Sequence, residues 1–175
     1  MDCAECGFSY EALSVPDALD ALRGFGRRYR IPMTRGLKGE DLDALVRSHP
    51  LEDSWSALEY ACHVRDVFDV QRDRLGHALV EDDYVPQPMR RDERVSEMHY
   101  NEQDPSTVAD DLAANATMLA SFIENFSESD LARTMPYAYP ELAVRPLSWV
   151  AVHTVHEGEH HLLDIGRVLR AARGR

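Results

Sequence analysis

Apolar residues recur every three or four positions in four stretches of the chain, and clusters of glycine and proline punctuate the intervals between them. That rhythm predicts four long helices. The first is expected to start near Pro16, a favourable first-turn residue, and to pass through Leu19, Leu22 and Phe25, with a break at Pro32 before Leu42 and Leu45. It is the least regular of the four. Asp53 or Ser54 is the expected cap of a second helix reaching about Leu79, and Asp104 or Ser106 that of a third reaching about Phe126. The fourth is expected to follow Pro146 and to end near Ala172. The stretch from Glu81 to Asp104 holds Tyr84, Pro86, Pro88, Met89, His99 and Tyr100 and is too long for a tight turn. A second aromatic loop carries Pro136, Tyr137, Tyr139 and Pro140, so both loops are expected to cover one end of the bundle. Strand signals are weak throughout. The expected fold is all-α, a four-helix up-and-down bundle with a long crossover loop and no sheet, in one domain over residues 1–175 with residues 1–15 as an N-terminal segment.

Composition agrees with a packed core: 44% of the 175 residues are apolar and 29% charged, as in globular rather than disordered chains. The formal net charge of −12 is spread along the whole chain, so its field repels phosphate backbones and argues against a nucleic-acid partner. No apolar run of about 18 residues exists to enter a membrane, and Asp2, Cys3 and Glu5 stand where a signal peptide needs a basic and then apolar start. A cytoplasmic location is expected. Three cysteines are too few for a disulfide framework.

On a helical wheel the second helix presents an apolar arc of Tyr60, Ala61, Val64, Val67, Phe68, Val70, Leu75 and Leu79, with His63 inside the arc near its edge. Glu59, Asp66, Asp69, Arg72 and Asp73 fall outside it, where they are expected to face water. In the fourth helix the run from His153 to His161 packs four imidazoles and two carboxylates into nine residues. Residues four apart stack on one face, so both His156/His160 and Glu157/His161 are spaced to chelate an ion. The wheel separates the pairs. His161 lies within the apolar arc with Glu157 at its border, whereas His156 and His160 fall on the other side with Trp149 and Arg167. A ligand that shares an ion with His63 must face a partner helix, which favours His63, Glu157 and His161 and leaves His156/His160 as the alternative register. Two nitrogens and one carboxylate suit zinc first, and also nickel or ferrous iron. Three protein ligands leave positions open for water or substrate.

The segment Trp55-Ser56-Ala57-Leu58-Glu59-Tyr60-Ala61-Cys62-His63-Val64 resembles the second-helix motif of the DinB-like metalloprotein superfamily, and His161-Leu162-Leu163-Asp164-Ile165 resembles its last-helix motif. The resemblance spans nearly the whole chain. It implies a metal bound by the second-helix histidine and a His-x-x-x-His pair, or by the Glu-x-x-x-His spelling of the related mycothiol-dependent maleylpyruvate isomerases. Glu157, His161, Asp164 and Ile165 match the latter position by position. The extra His156/His160 pair is a departure that also fits the commoner spelling. The resemblance further implies a small enzyme or enzyme-like protein, several relatives being transferases that use bacillithiol or mycothiol.

Together these readings lead to an expected function: a thiol-dependent transferase or isomerase in which the metal activates a low-molecular-weight thiol such as mycothiol. A metal-dependent hydrolase, with Glu59 or His153 carrying protons, is the alternative within the enzymes. A non-catalytic metal-binding stress-response bundle, its ion closed off by His153 or His160, is the alternative outside them. A pocket lined by Tyr84, Met89 and Tyr137 would favour an enzyme acting on a small molecule. Pairing of an exposed bundle face into a homodimer is left open. Cys3 and Cys6 have zinc-ligand spacing, yet no second Cys-x-x-Cys completes a four-ligand site, so inert, redox and metal-binding roles all stand. Cys62 adjoins His63 but points away from the inferred core. Arg90, Arg91 and Arg94 form a local positive cluster that either receives an anionic substrate or pairs with nearby acids.

Overall fold

A computed structural model describes residues 2–139 and 141–174; Pro140 of the second aromatic loop lies outside the described residues. Ser14 caps α1 (Val15–Thr34), its hydroxyl accepting the Asp17 N–H at 3.3 Å, with Pro16 in the first turn. The helix is not broken at Pro32 as expected. So close to the C-terminus the missing proline N–H removes a single bond, and Arg35 N–H still reaches Ile31 O at 3.0 Å. A short α2 (Leu42–Arg47) capped by Asp41 follows.

Neither Asp53 nor Ser54 caps α3 (Ala57–Val80). Ser56 does, because a glutamate stands three residues beyond it: Glu59 N–H reaches Ser56 Oγ at 3.1 Å and Ser56 N–H reaches Glu59 Oε2 at 2.7 Å. Glu59 is buried by this capping box, not turned to water. The crossover holds a short α4 (Arg91–Glu97) and a 3₁₀ turn at Tyr100–Glu102, after which Asp104 caps α5 (Pro105–Ile123). Beyond α6 (Glu128–Ala132) the chain forms a two-stranded antiparallel hairpin, β1 (Thr134–Tyr137) with β2 (Ala143–Pro146), in register Thr134 to Pro146. This hairpin corrects the expectation of no sheet; four-residue strands are too short to leave a periodic signal. The last helix, α7 (Leu147–Ala172), begins right after Pro146 as expected.

The four long helices close a ring in the order α1, α5, α3, α7, each packing on its two neighbours. Chain-consecutive α1 and α3 therefore lie diagonally, as do α5 and α7. Their links, residues 35–56 and 124–146, are long enough to cross the bundle end. Leu22, Phe25, Tyr29, Leu58, Phe68, Leu112, Leu119, Leu147 and Ile165 are fully or almost fully buried between the helices. Asp66, expected to face water, is buried as well. It accepts Tyr100 Oη at 2.6 Å, Arg65 Nε at 2.8 Å and Arg94 Nε at 2.9 Å, so three donors replace the lost hydration. Cys62 is likewise inside the core, contrary to the wheel, where burial pushes its thiol up to about 12 and keeps it inert.

Among the described residues no helix is long and apolar enough to cross a membrane.

Candidate metal centre

The capping box starts α3 so that its second turn presents His63 toward α7, which runs alongside. From α7, Glu157 and His161, one turn apart, face the same point. Donor atoms of His63, Glu157 and His161 all lie within 4.8 Å of one another. His161 Nε2 is 3.8 Å from Glu157 Oε2, and the His63 and His161 rings meet edge to face at 4.9 Å. Trp55 packs on His63 and Tyr60 stacks on His161, so aromatic rings restrict both imidazoles.

Position along α7 is set by α1. Gly158 has no side chain, and Phe25 fills the space beside it so closely that a Cβ there would stand 2.4 Å from the ring. Tyr29 Oη, fully buried, donates to Gly158 O at 2.8 Å. These two contacts hold the turn that carries Glu157 and His161.

The electrostatics suit a cation. His63 is 3% exposed and its Nδ1 is buried with no hydrogen-bond partner, an arrangement that costs free energy unless something accepts the lone pair or the proton. Burial first, and then the nearby His161, push its pKa down to about 3, so the ring is neutral. Burial would raise Glu157, but the His156 contact and the surrounding imidazoles bring it down to about 2, so it is charged. Asp164 Oδ2 lies 3.0 Å from His161 Nδ1. A carboxylate only accepts, so the ring proton belongs on Nδ1 and the Nε2 lone pair points toward Glu157. A neutral His63 and an ionised Glu157 are the protonation states a divalent ion requires of those two side chains.

The three residues form part of the wall of a cavity of about 480 Å³. Val67, Val70, Pro86, Met89, Pro136 and Leu142 make it largely apolar, while Arg74, Arg90 and Arg91 supply positive charge. Gln71, two turns beyond His63, donates to Tyr137 Oη at the wall, and its Oε1 is buried without a partner. Buried His153 also lines the cavity. Its Nδ1 pairs with Tyr10 Oη at 2.8 Å, its Nε2 is 3.4 Å from Glu157 Oε1, and burial lowers its pKa to about 4.

Several expected residues lie elsewhere. Tyr84 does not line the cavity but stacks on His77. Arg94 turns away to Asp66, and Glu59 is held by Ser56 and His49, so Glu59 is no proton carrier here. His156 and His160, which the wheel sets on the side away from the apolar arc, are covered by the N-terminal segment, and His156 is 2% exposed. That cover could not be read from α7, because it comes from residues more than 140 positions away. Tyr10 was missed for the same reason, whereas Gln71 shares the His63 stripe at a spacing of eight and was legible.

The chain is thus a four-helix ring with a partly buried His, Glu, His donor set at the wall of a cavity. The family model described as the DinB superfamily matches residues 35–165, and the chain belongs to that superfamily. No curated protein matches it. Among solved structures it is similar to YfiT from Bacillus subtilis, described as a probable metal-dependent hydrolase with an unusual four-helix bundle topology. The TM-score is 0.79 at 13% identity, over 89% of this chain and 86% of that one. It is also similar to a mycothiol-dependent maleylpyruvate isomerase, with a TM-score of 0.69 at 16% identity over 91% of this chain. The match spans 63% of that enzyme's length. At these identities the likeness shows the fold.

Proposed function

We propose that His63, Glu157 and His161 hold one divalent metal ion, zinc by its ligand preference with nickel or iron as competitors, and that the chain is an enzyme acting on a small molecule. The observation that carries this reading is the convergence of the three donors within 4.8 Å on a cavity wall, with His63 Nδ1 buried and unpartnered. A bound ion would supply a Lewis acid that lowers the pKa of a thiol or water in its open position.

The chain's own residues do the rest. Two neutral imidazoles and one carboxylate offset only half of a divalent charge, which leaves the site electrophilic. Arg74 and Arg91 add positive charge along the cavity and favour an anionic substrate. His153 stands within 3.4 Å of Glu157 and is steadied by Tyr10, in reach of a proton released beside the metal ligands. A largely apolar cavity of about 480 Å³ has room for a small substrate next to a thiol, which supports a thiol-dependent transferase or isomerase using a cofactor such as mycothiol. The neighbour named as mycothiol-dependent lends this version support. The neighbour described as a probable hydrolase supports the second reading, in which water takes the thiol's place. A reduced thiol partner also fits a cytoplasmic location.

The test is metal analysis of the purified protein, followed by depletion of low-molecular-weight thiols against a panel of electrophiles. His63→Ala and His161→Ala should each remove one equivalent of metal and abolish turnover while keeping helicity. Retention of that metal equivalent in both variants would sink the assignment. Turnover that needs no thiol, with metal still required, would select the hydrolase.

A further inference from the structure

The N-terminal segment is folded onto α7 around a second set of metal-ligand residues. Cys3 N–H donates to Phe8 O at 2.9 Å, Gly7 N–H donates to Cys3 O at 2.8 Å, and Asp2 and Ser9 form an isolated antiparallel bridge. Gly7 takes a φ of +72°, a conformation that glycine adopts without strain, and so reverses the chain directly after Cys6. The reversal turns both thiols toward α7. There His156 and His160, one helical turn apart, complete the group: donor atoms of Cys3, Cys6, His156 and His160 all lie within 4.8 Å of one another.

The distances suit a tetrahedral ion. With Zn–S near 2.3 Å and Zn–N near 2.0 Å, the sulfur-to-nitrogen edge of a zinc tetrahedron is about 3.5 Å. Cys3 Sγ stands 3.8 Å from His160 Nδ1. The other nitrogen of His160 faces carboxylates, Glu5 Oε2 at 3.4 Å and Asp164 Oδ2 at 3.6 Å, which is the usual support for a ligating histidine. His156 gives the independent sign of a missing ligand. It is 2% exposed, and neither ring nitrogen has a hydrogen-bond partner. Its polar neighbours include Glu157 Oε1, 3.5 Å from Nδ1, and the Cys3 thiol, and neither stands in good hydrogen-bond geometry.

We propose that Cys3, Cys6, His156 and His160 form a second, closed metal site that takes zinc and fastens the N-terminal segment to α7. Two thiolates neutralise the ion, and four protein ligands leave no open position, so the role is structural. His156 also lies within reach of His153 and Glu157, but two soft sulfur ligands make the cysteine set the stronger trap for zinc. The clasp has a consequence for the cavity. The same segment carries Tyr10, which stacks on Trp149 and pairs with His153, so the second ion would hold in position a residue that orders the cavity wall. None of this depends on His63, Glu157 and His161 holding an ion.

Cobalt titration of the reduced, metal-free full chain tests the proposal, because sulfur ligation gives a thiolate-to-cobalt charge-transfer band that a His, Glu, His site cannot. Wild-type protein should show that band together with the strong visible absorption of tetrahedral cobalt. Cys3→Ser/Cys6→Ser should lose the band and one equivalent of cobalt, whereas His161→Ala should keep the band. Loss of the proposed catalytic ion and loss of this one are thus read separately. As a measurement that needs no variant, zinc should protect Cys3 and Cys6 from alkylation, scored by mass spectrometry with buried Cys62 as internal reference. A wild-type spectrum without charge transfer, a band that survives in the double serine variant, or equal alkylation with and without zinc overturns the proposal.

Discussion

Replacing Gly158 with alanine probes the contact that sets α7 against α1. An added Cβ would meet Phe25 at 2.4, 2.5 and 2.9 Å, against an ordinary contact distance of 3.4 Å or more. The ring or the helix must move by about 1 Å, far beyond the few tenths that a soft neighbour yields. Phe25 has no free direction, being fully buried between Tyr29 and Phe68 with ring centroids 5.9 and 5.7 Å away. Overpacking of this kind costs about 1–3 kcal/mol, with this site toward the upper end, while alanine recovers about 1 kcal/mol of helix propensity. The net expectation is a loss of about 2 kcal/mol, or about 4–8 °C in Tm for a chain of this size. Gly24, in the interior of α1, supplies the control, because a Cβ there meets nothing within 4 Å. Gly24→Ala should therefore stabilise by about 0.5–1 kcal/mol. Paired thermal melts followed by circular dichroism measure both. Equal or greater stability of Gly158→Ala would show that α1 and α7 do not approach as described, and the alignment of Glu157 and His161 with His63 would lose its physical basis.

Other outcomes follow from the same geometry. Asp164→Ala removes the acceptor that fixes the His161 proton on Nδ1, so affinity at the His63, Glu157, His161 site should fall about 10- to 100-fold in competition with a chromophoric chelator; unchanged affinity refutes the orienting role. Asp66→Asn weakens the paired charge under Arg65, Arg94 and Tyr100 and should cost about 3 kcal/mol in denaturant titration. Burial would raise the Asp66 carboxyl, but its three donors hold it below the usual range, so its contribution is present above the unfolded pKa of about 4 and is lost as pH falls through the lower folded value. The gap between wild type and Asp66→Asn should accordingly narrow below pH 4, and a gap independent of pH would contradict this.

Much of the fold was legible because helices declare themselves locally. The start of α7 after Pro146, the Asp104 cap and the four apolar stripes follow from proline geometry, capping chemistry and the 3.6-residue period, none of which needs distant contacts. The Ser56–Glu59 box is equally local and starts the helix in place of the expected Asp53, which takes a φ of +56° outside it. The convergence of His63, Glu157 and His161 was also accessible, since a wheel tells which side chains face a neighbouring helix.

What the wheel cannot tell is what covers the opposite face. Periodicity turns Asp66 to water and sets His156 on the side away from the apolar arc, and both are buried, one under Tyr100 and two arginines, the other under Phe8 and Tyr10. Those partners come from the crossover and from the N-terminus, segments with no period of their own. The ring order of the helices was hidden for a related reason, since links of about twenty residues reach a diagonal neighbour as readily as an adjacent one. Local pattern thus determined the helices and their inward faces. Only the packing of aperiodic segments decided which polar residues left water, and so which histidines and cysteines came together.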